Sequence, residues 1–402
     1  MARKRRALVI GGSMSGLLAG IMLMRRGWEV DICERADEEL AGRGAGIVAQ
    51  PELIARLEAL GLDTSELGVA VTTRKIFDRN GSVSASRECP QILTAWERVY
   101  RILRDAFPAQ HYHRARGLKA FSQDSDRVLA HFGDGSSMWA DVLVGADGLR
   151  STVRRQCLPE IMPLYAGYVA WRALLSESDF PPAIHRELFM LMTFCLPPGE
   201  QCLGYPVAGA NNELREGQRR YNVVWYRPAD ETSELPQLLT DRNGVAHSIS
   251  IPPPLIRAEP IAAMRAAAER LLAPQVRDII RLIDEPILQP IYDLESPHLA
   301  FGRVAVVGDA AFVARPHVGA GVSKASDDAA ALASALDGDD VESALRGFEA
   351  ARLPDNRKII ERARHLGAYL QATQTAEERA RSARHSIPEA VLAETAMVDF
   401  LH

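Results

Sequence analysis

Four turns carry the residues of this sequence best suited to chemistry. The first is Gly11-Gly12-Ser13-Met14-Ser15-Gly16, with Glu34 following 23 residues after Gly11. Gly11 and Gly12 let the chain turn tightly, and Gly16 lets a helix lie close to the strand before it. Ser13 stands where the dinucleotide fingerprint G-x-G-x-x-G has its middle glycine. A helix starting near Met14 would aim free amide groups and the positive end of its dipole at a pyrophosphate. A carboxylate at Glu34 could accept hydrogen bonds from ribose hydroxyls. The second and third turns are Gly145-Ala146-Asp147-Gly148 and Gly308-Asp309-Ala310-Ala311, and Asp309 could accept from a polyhydroxyl chain. The fourth, Arg315-Pro316-His317-Val318-Gly319-Ala320-Gly321, runs into a helix whose first amides could stabilise negative charge, as on the pyrimidine edge of a reduced flavin.

These turns need elements to hold them. Ala7–Ile10 reads as a doubly buried strand, and a second strand ends at Glu34. A loop leads to a helix from about Pro51, strands follow near Thr73–Phe77 and Val83–Ser86, and a helix runs over Ala95–Phe107. The strand Ala140–Val144 enters the second turn, after which Ser151 caps a helix. YVAWRALL, ELFMLMTFC, QCLGYPV and YNVVWYR, between Tyr165 and Arg227, read as strands of an antiparallel second domain. Proline-rich IPPPL is a loop, helices continue to about Ile283, and a buried strand over Arg303–Val307 enters the third turn. An alanine-rich helix spans about Gly321–Leu336. The charged helical tail after Val341 reads as a packing or oligomer face. Ligands of open α/β sheets gather at the carboxyl ends of strands, so the turns are expected to converge on one ligand.

Composition narrows the alternatives. The chain has 402 residues, 47% hydrophobic and 25% charged, enough for two or more domains. A net charge of −5 and the lack of an aromatic-plus-basic stripe argue against nucleic acid. The basic run Arg3–Arg6 precedes a strand broken by glycines, so neither a secretory signal nor a membrane span is expected. Five cysteines (Cys33, Cys89, Cys157, Cys195, Cys202) without metal spacing fit a reducing cytoplasm. His111 and His113 read as structural, with no metal site. GGSMSG has Met14 at its centre and is no serine-hydrolase elbow.

Together the turns resemble the class A FAD-dependent aromatic hydroxylases, the family of 4-hydroxybenzoate hydroxylase, from Leu8 to about Arg352. The likeness rests on Gly11–Gly16 with Glu34, on the GADG turn with Asp147, and on the GD turn followed by Pro316 and Gly319–Gly321. Within the family the sequence is most similar to the branch of 2,6-dihydroxypyridine 3-hydroxylase, through GGSMSGL with its serine, GAGIVAQPEL, AGYVAWR, GDAAFVARPH and KASDDA. The resemblance implies an α/β fold: a Rossmann-like, GR2-type FAD-binding domain with an inserted antiparallel β-sheet substrate domain and C-terminal helices. The expected spans are 1–75, 95–160 and 291–345 for the first, 76–94 and 161–290 for the second, and 346–402 for the last. It implies a monooxygenase: NADH or NADPH reduces FAD, O₂ adds to give a flavin C4a-hydroperoxide, and the terminal oxygen passes to an electron-rich ring. A hydroxypyridine-type N-heterocycle or a phenol would be that ring, and a homodimer is compatible with the family.

The resemblance also assigns residues. Gly11, Gly12, Ser13, Met14, Ser15 and Gly16 would hold the ADP part of FAD, with Ser13 and Gly16 at the pyrophosphate, Glu34 at the ribose and Arg35 near the adenine. Gly46, Ile47 and Val48, in the loop from Gly44, would lie beside the flavin, and Arg220 would touch it. Many relatives have an arginine where this chain has Trp96, so phosphate neutralisation would fall to Arg98 or Arg101, or be absent there. Asp147, Asp309, Pro316, Gly319, Ala320, Gly321 and Val322 complete the cofactor set. His317 and Tyr205 are the expected catalytic residues, and Trp171, Tyr226 and His317 the substrate wall. Other readings remain: a flavin-dependent dehydrogenase, oxidase or halogenase on the same fold, the last disfavoured by the lack of a W-x-W pair, and a non-catalytic nucleotide-binding sensor.

Overall fold

Short apolar runs ending in glycine turns build a six-stranded sheet in the computed structural model, which describes residues 4–40 and 46–401. The strand order is Ala300–Phe301, Val304–Val306, Val142–Gly145, Arg6–Ile10, Glu29–Cys33 and Tyr112–His113. Neighbours are parallel except for the outermost hairpin formed by the first two. Val142–Gly145 is buried along its whole length, so no polar alternation interrupts it. Helix Met14–Arg25 packs against this sheet and against helix Gly321–Ala335, burying Leu17, Leu18, Ile21 and Leu23 in one core.

A nine-stranded sheet lies beside it. Its order is Phe312–Val313, Ile287–Glu295, Leu164–Ser176, Arg220–Pro228, Gln201–Val207, Met192–Cys195, Val69–Phe77, Val83–Ala95 and Gly46–Ala49. One face packs on helices Ala258–Leu271 and Pro274–Arg281 through Trp171, Trp225 and Leu288. The other carries Tyr168, Leu203, Tyr205, Val224 and Tyr226. A three-stranded sheet, Leu118–Gln123, Val128–Phe132 and Ser137–Ala140, completes the β-structure among the described residues.

Two expectations meet a different arrangement. The division expected between 75 and 76 cuts through the single strand Val69–Phe77, and that between 290 and 291 through Ile287–Glu295; both are strands of the larger sheet. Each strand pairs with a neighbour on both sides of the expected boundary (Lys75 with Ser86 and Ile76 with Ala85; Pro290 with Val169 and Tyr292 with Tyr165), so neither is a place where the chain leaves one unit for another. ELFMLMTFC is not one strand. Only Met192–Cys195 is extended, because Pro181 and Pro182 preset a helical start and Pro182–Leu188 turns as a helix.

Candidate active site

The sheet order brings the acidic turns together. Ile10 pairs with Gly145 and with Cys33, and Gly145 pairs with Val306, so Gly11, Glu34, Ala146-Asp147 and Gly308-Asp309 follow the carboxyl ends of four adjacent parallel strands. Gly11 has φ 106°, and a Cβ there would lie 2.4 Å from the Ala146 carbonyl oxygen; a Cβ on Gly16 would lie 1.9 Å from the Gly11 oxygen. Helix Met14–Arg25 begins at Ser13, whose side chain makes no capping bond, so its first amides are left for an outside acceptor. The Glu34 carboxylate accepts the Gly12 and Ala36 N–H groups, each at 2.8 Å, and Tyr112 donates to the Gly12 carbonyl at 2.9 Å.

A cavity of about 240 Å³ opens here, lined by Gly11, Ser13, Glu34, Arg35, Arg116 and Asp147 among others. Asp147 is largely spoken for. It accepts from the Ser151 hydroxyl (2.5 Å), from the Thr152 N–H (2.6 Å) and from the Val153 N–H (3.3 Å), starting helix Thr152–Cys157. Burial pushes its carboxyl above the usual range, against those bonds. The Asp309 side chain is exposed and accepts no hydrogen bond from a described residue, although protein surrounds it closely. Burial raises its carboxyl too, with the Lys324 charge pulling it back. Met14 is buried in the helix interface, and Ser15 packs against Gly308. A glycine cradle, an uncapped helix start and an unengaged carboxylate fit the dinucleotide half of FAD.

The second cavity, about 200 Å³, is lined by Gly46, Ile47, Val48, Pro316, His317, Gly319, Gly321 and Val322 on one side. Arg172, Met192, Leu203, Tyr205, Val224 and Tyr226, on other strands of the sheet that carries Gly46–Ala49, complete the lining together with Thr395 and Ala396. Ala320 is the cap residue of helix Gly321–Ala335, whose first residues the cavity wall includes. Gly44 and Ala45 lie outside the described residues.

Strand register decides which side chains enter this cavity. Ala170 faces Tyr226 and Arg172 faces Val224, while Trp171 faces Trp225. Tyr226 in turn faces Gln201, and Leu203 faces Val224. Directly opposed residues share a face, so Trp171, expected in the substrate wall, belongs to the helix-packed core on the far side. The residue beside it enters instead. Alternation could have shown this: Val169, Trp171, Ala173 and Leu175 form the continuous apolar row of that strand. Arg220 donates to the carbonyls of Ala208 and Gly209 at 3.2 Å and lines neither cavity. Arg98 lines neither as well, and Arg101 is paired with Glu97.

Arg172 donates to Gln289 at 2.8 Å, while its Nε is buried without a partner. Burial pushes the Tyr205 phenol up to about 12 and raises that of Tyr226; the Arg172 charge opposes both shifts. The cavity thus holds one cation and two neutral phenols among apolar walls. His317 is 3% exposed, and both ring nitrogens are engaged: Nε2 with the Tyr168 hydroxyl at 2.9 Å and Nδ1 with Gln201 Oε1 at 3.1 Å. That arrangement holds the ring in place and leaves no nitrogen free to take a proton from a ligand. His111 and His113, in turn, both bond Asp31 at the far edge of the smaller sheet.

Burial and the Arg315 charge drive the His317 imidazole down to about 3. Its folded pKa lies below the unfolded value near 6.5, so its contribution to stability is complete above that pH and is lost as pH falls towards 3. The loss should approach ~1.4 kcal/mol per pH unit. His317→Asn is expected to flatten the decline in urea-unfolding stability between about pH 6 and 4. An unaltered slope would show that the imidazole is not the responsible group.

Comparison with known proteins agrees with the geometry. Residues 165–293 match a family described as FAD binding domain-like. The chain is 32% identical over 372 residues to 2,6-dihydroxypyridine 3-monooxygenase of Paenarthrobacter nicotinovorans, covering 91% of each chain. The chain belongs to the FAD-dependent aromatic hydroxylases. The solved structure of 2,6-dihydroxypyridine-3-hydroxylase from Arthrobacter nicotinovorans superposes with a TM-score of 0.86 at 31% identity, over 92% of this chain and 94% of that one. A second curated hydroxylase relative, 3-amino-4-hydroxybenzoate 2-monooxygenase of Streptomyces cremeus, is 28% identical over 90% of this chain and 87% of its own. HpxO of Klebsiella pneumoniae, solved with FAD and uric acid, shares the fold at 22% identity and a TM-score of 0.75, over 97% of each chain. Like its family, this hydroxylase is a flavoprotein monooxygenase that uses FAD, NADH or NADPH, and O₂ on an aromatic ring. No helix among the described residues is long and apolar enough to cross a membrane.

Proposed function

We propose that this hydroxylase oxidises a single-ring, oxygen-substituted substrate of the hydroxypyridine type, bound as an anion in the cavity between the large sheet and the turn that leads into helix Gly321–Ala335. Arg172 carries the reading: a guanidinium with a buried, unpartnered Nε stands among Tyr205, Tyr226, Met192, Leu203 and Val224. Relatives named for a dihydroxypyridine and for an aminohydroxybenzoate support an electron-rich, ionisable ring.

The proposed division of labour follows the two cavities. The turn at Gly11–Gly16, Glu34, Arg35 and Asp309 hold the adenosine and ribityl side of FAD; Gly46–Val48, Pro316 and Gly319–Val322 flank its ring. Bound FAD supplies the activation of O₂, and the chain's own residues supply placement. Arg172 favours the deprotonated, electron-rich form of the substrate, because a cation beside an acidic ring hydroxyl lowers its pKa. Tyr205 and Tyr226, neutral at working pH, offer hydroxyls that orient the ring. His317 acts as a positioning residue, tying Tyr168 and Gln201 into the wall. Exclusion of water by the apolar walls protects the oxygen-transfer step. Five free cysteines fit a reducing cytoplasm for the enzyme.

The test is a panel of hydroxypyridines and phenols assayed for NADH and NADPH consumption, with products identified by mass and ¹⁸O₂ label. Ring-stimulated oxidation with one labelled oxygen in the product is the expected result. Stimulation only by neutral, unionisable rings would remove the role given to Arg172.

A further inference from the structure

The C-terminal segment reaches back across the molecule to finish the ring cavity. After helix Pro388–Glu394, Thr395 and Ala396 form part of the cavity wall. This segment is held by a dedicated set of contacts. Arg74, with no accessible surface, donates from one nitrogen to the carbonyls of Leu392 at 2.9 Å and Thr395 at 2.8 Å, and from its others to Gln91. Gln50 donates to the Ala396 carbonyl at 3.0 Å, and the Ala396 N–H donates to the His317 carbonyl at 2.7 Å. Ala396 takes a left-handed φ of 54°, a conformation that a non-glycine residue keeps only when its surroundings impose it. Its Cα comes within 2.7 Å of where a Cβ on Gly319 would stand, so strap and helix-approach turn are fitted to one another. Val398 then buries itself against Val318 and Ala320.

Such anchoring fixes the direction of one side chain in particular. Thr395 is 6% exposed, lines the cavity, and its hydroxyl makes no hydrogen bond to a described residue. A hydroxyl on a cavity wall that has no protein partner is available to a polar atom of a bound ligand. Across the same cavity stand Arg172, Tyr205 and Tyr226.

We propose that Thr395 is a specificity-determining residue, its hydroxyl hydrogen-bonding a polar atom of the bound ring, with Arg74 positioning it through the backbone. The proposal rests on the reading that this cavity takes a hydroxylated ring. A site built to bond a ring oxygen or nitrogen discriminates against analogues that lack it, because its own polar group is then left unpaired.

The experiment uses FAD-loaded enzyme with 2,6-dihydroxypyridine and 2-hydroxypyridine as probes, binding read from the perturbation of flavin absorbance. Thr395→Val, which preserves shape, is expected to weaken 2,6-dihydroxypyridine binding about tenfold, with KM rising and kcat changing little. Thr395→Ser, which keeps the hydroxyl, should bind within about threefold of wild type. The Val variant's deficit should shrink for the ring with one hydroxyl fewer. Equal binding by wild type and Thr395→Val overturns the proposal, as does equal loss in the Val and Ser variants, which would mark a packing role. If the wild-type enzyme binds neither probe, the hydroxypyridine reading fails, and the assignment to Thr395 fails with it.

Discussion

Arg172→Met is expected to weaken binding of the ring substrate by roughly 30- to 1,000-fold while leaving FAD content unchanged, on the basis that a desolvated, charge-assisted bond contributes about 2–4 kcal/mol. Methionine fills similar volume, so the loss reports charge and donors rather than an emptied space. The guanidinium keeps only its bond to Gln289 among the described residues, and its Nε is buried and unpartnered, so the free protein holds a donor in waiting. Arg172→Lys retains the charge but not the planar fork, and an intermediate loss is expected. Removing the cation should also raise the pH needed for turnover, since it no longer helps the substrate ionise. Substrate titrations followed through flavin absorbance, with FAD stoichiometry as control, decide the matter. A change below about threefold in substrate Kd would exclude Arg172 from recognition.

The second large effect is expected at Glu34. Its carboxylate already holds the Gly12 and Ala36 amides at 2.8 Å, so the side chain shapes the phosphate turn as well as offering oxygen to a ribose. Glu34→Ala leaves both amides without their acceptor and removes the proposed ribose contact. At about 1.5 kcal/mol or more for each bond to a charged group, losing two proposed bonds from the ribose hydroxyls corresponds to FAD binding weaker by at least ~100-fold. Glu34→Gln should lose less, because one amide oxygen can still accept. Titration of FAD into apoprotein, read as quenching of flavin fluorescence, measures this directly. If Glu34→Ala binds FAD as wild type does, the ribose assignment is wrong and the turn is held by other means.

How much of this was legible in the sequence depends on the distance over which each feature is encoded. Gly11, Gly16 and the helix from Met14 follow local rules: a tight turn and a close helix–strand approach need glycine, and a buried parallel strand reads as an apolar run. Ser151 as a cap and the helix starting at Gly321 were legible for the same reason. Trp171 shows where local reasoning slipped. Its aromatic character suggested a pocket wall, yet the strand's apolar row assigns it to the opposite face, and the cavity receives its neighbour Arg172.

Other features have no local signal. His317 sits in a turn that the sequence marks as special, but its two partners, Tyr168 and Gln201, lie 149 and 116 residues away in the chain. Their placement makes it a neutral, fully engaged ring rather than a base. Thr395 lies in a tail whose helical periodicity reads as a packing or oligomer face; nothing near it announces a cavity. By itself the sequence determined the glycine turn after the first strand, the strands and helices that flank the four turns, and the family, because these rest on backbone geometry and short-range periodicity. Only the tertiary structure decided which side chains share the ring cavity. Strand register sets which face each residue takes, and the buried Arg74 draws the C-terminal segment across the sheet by bonding its carbonyls.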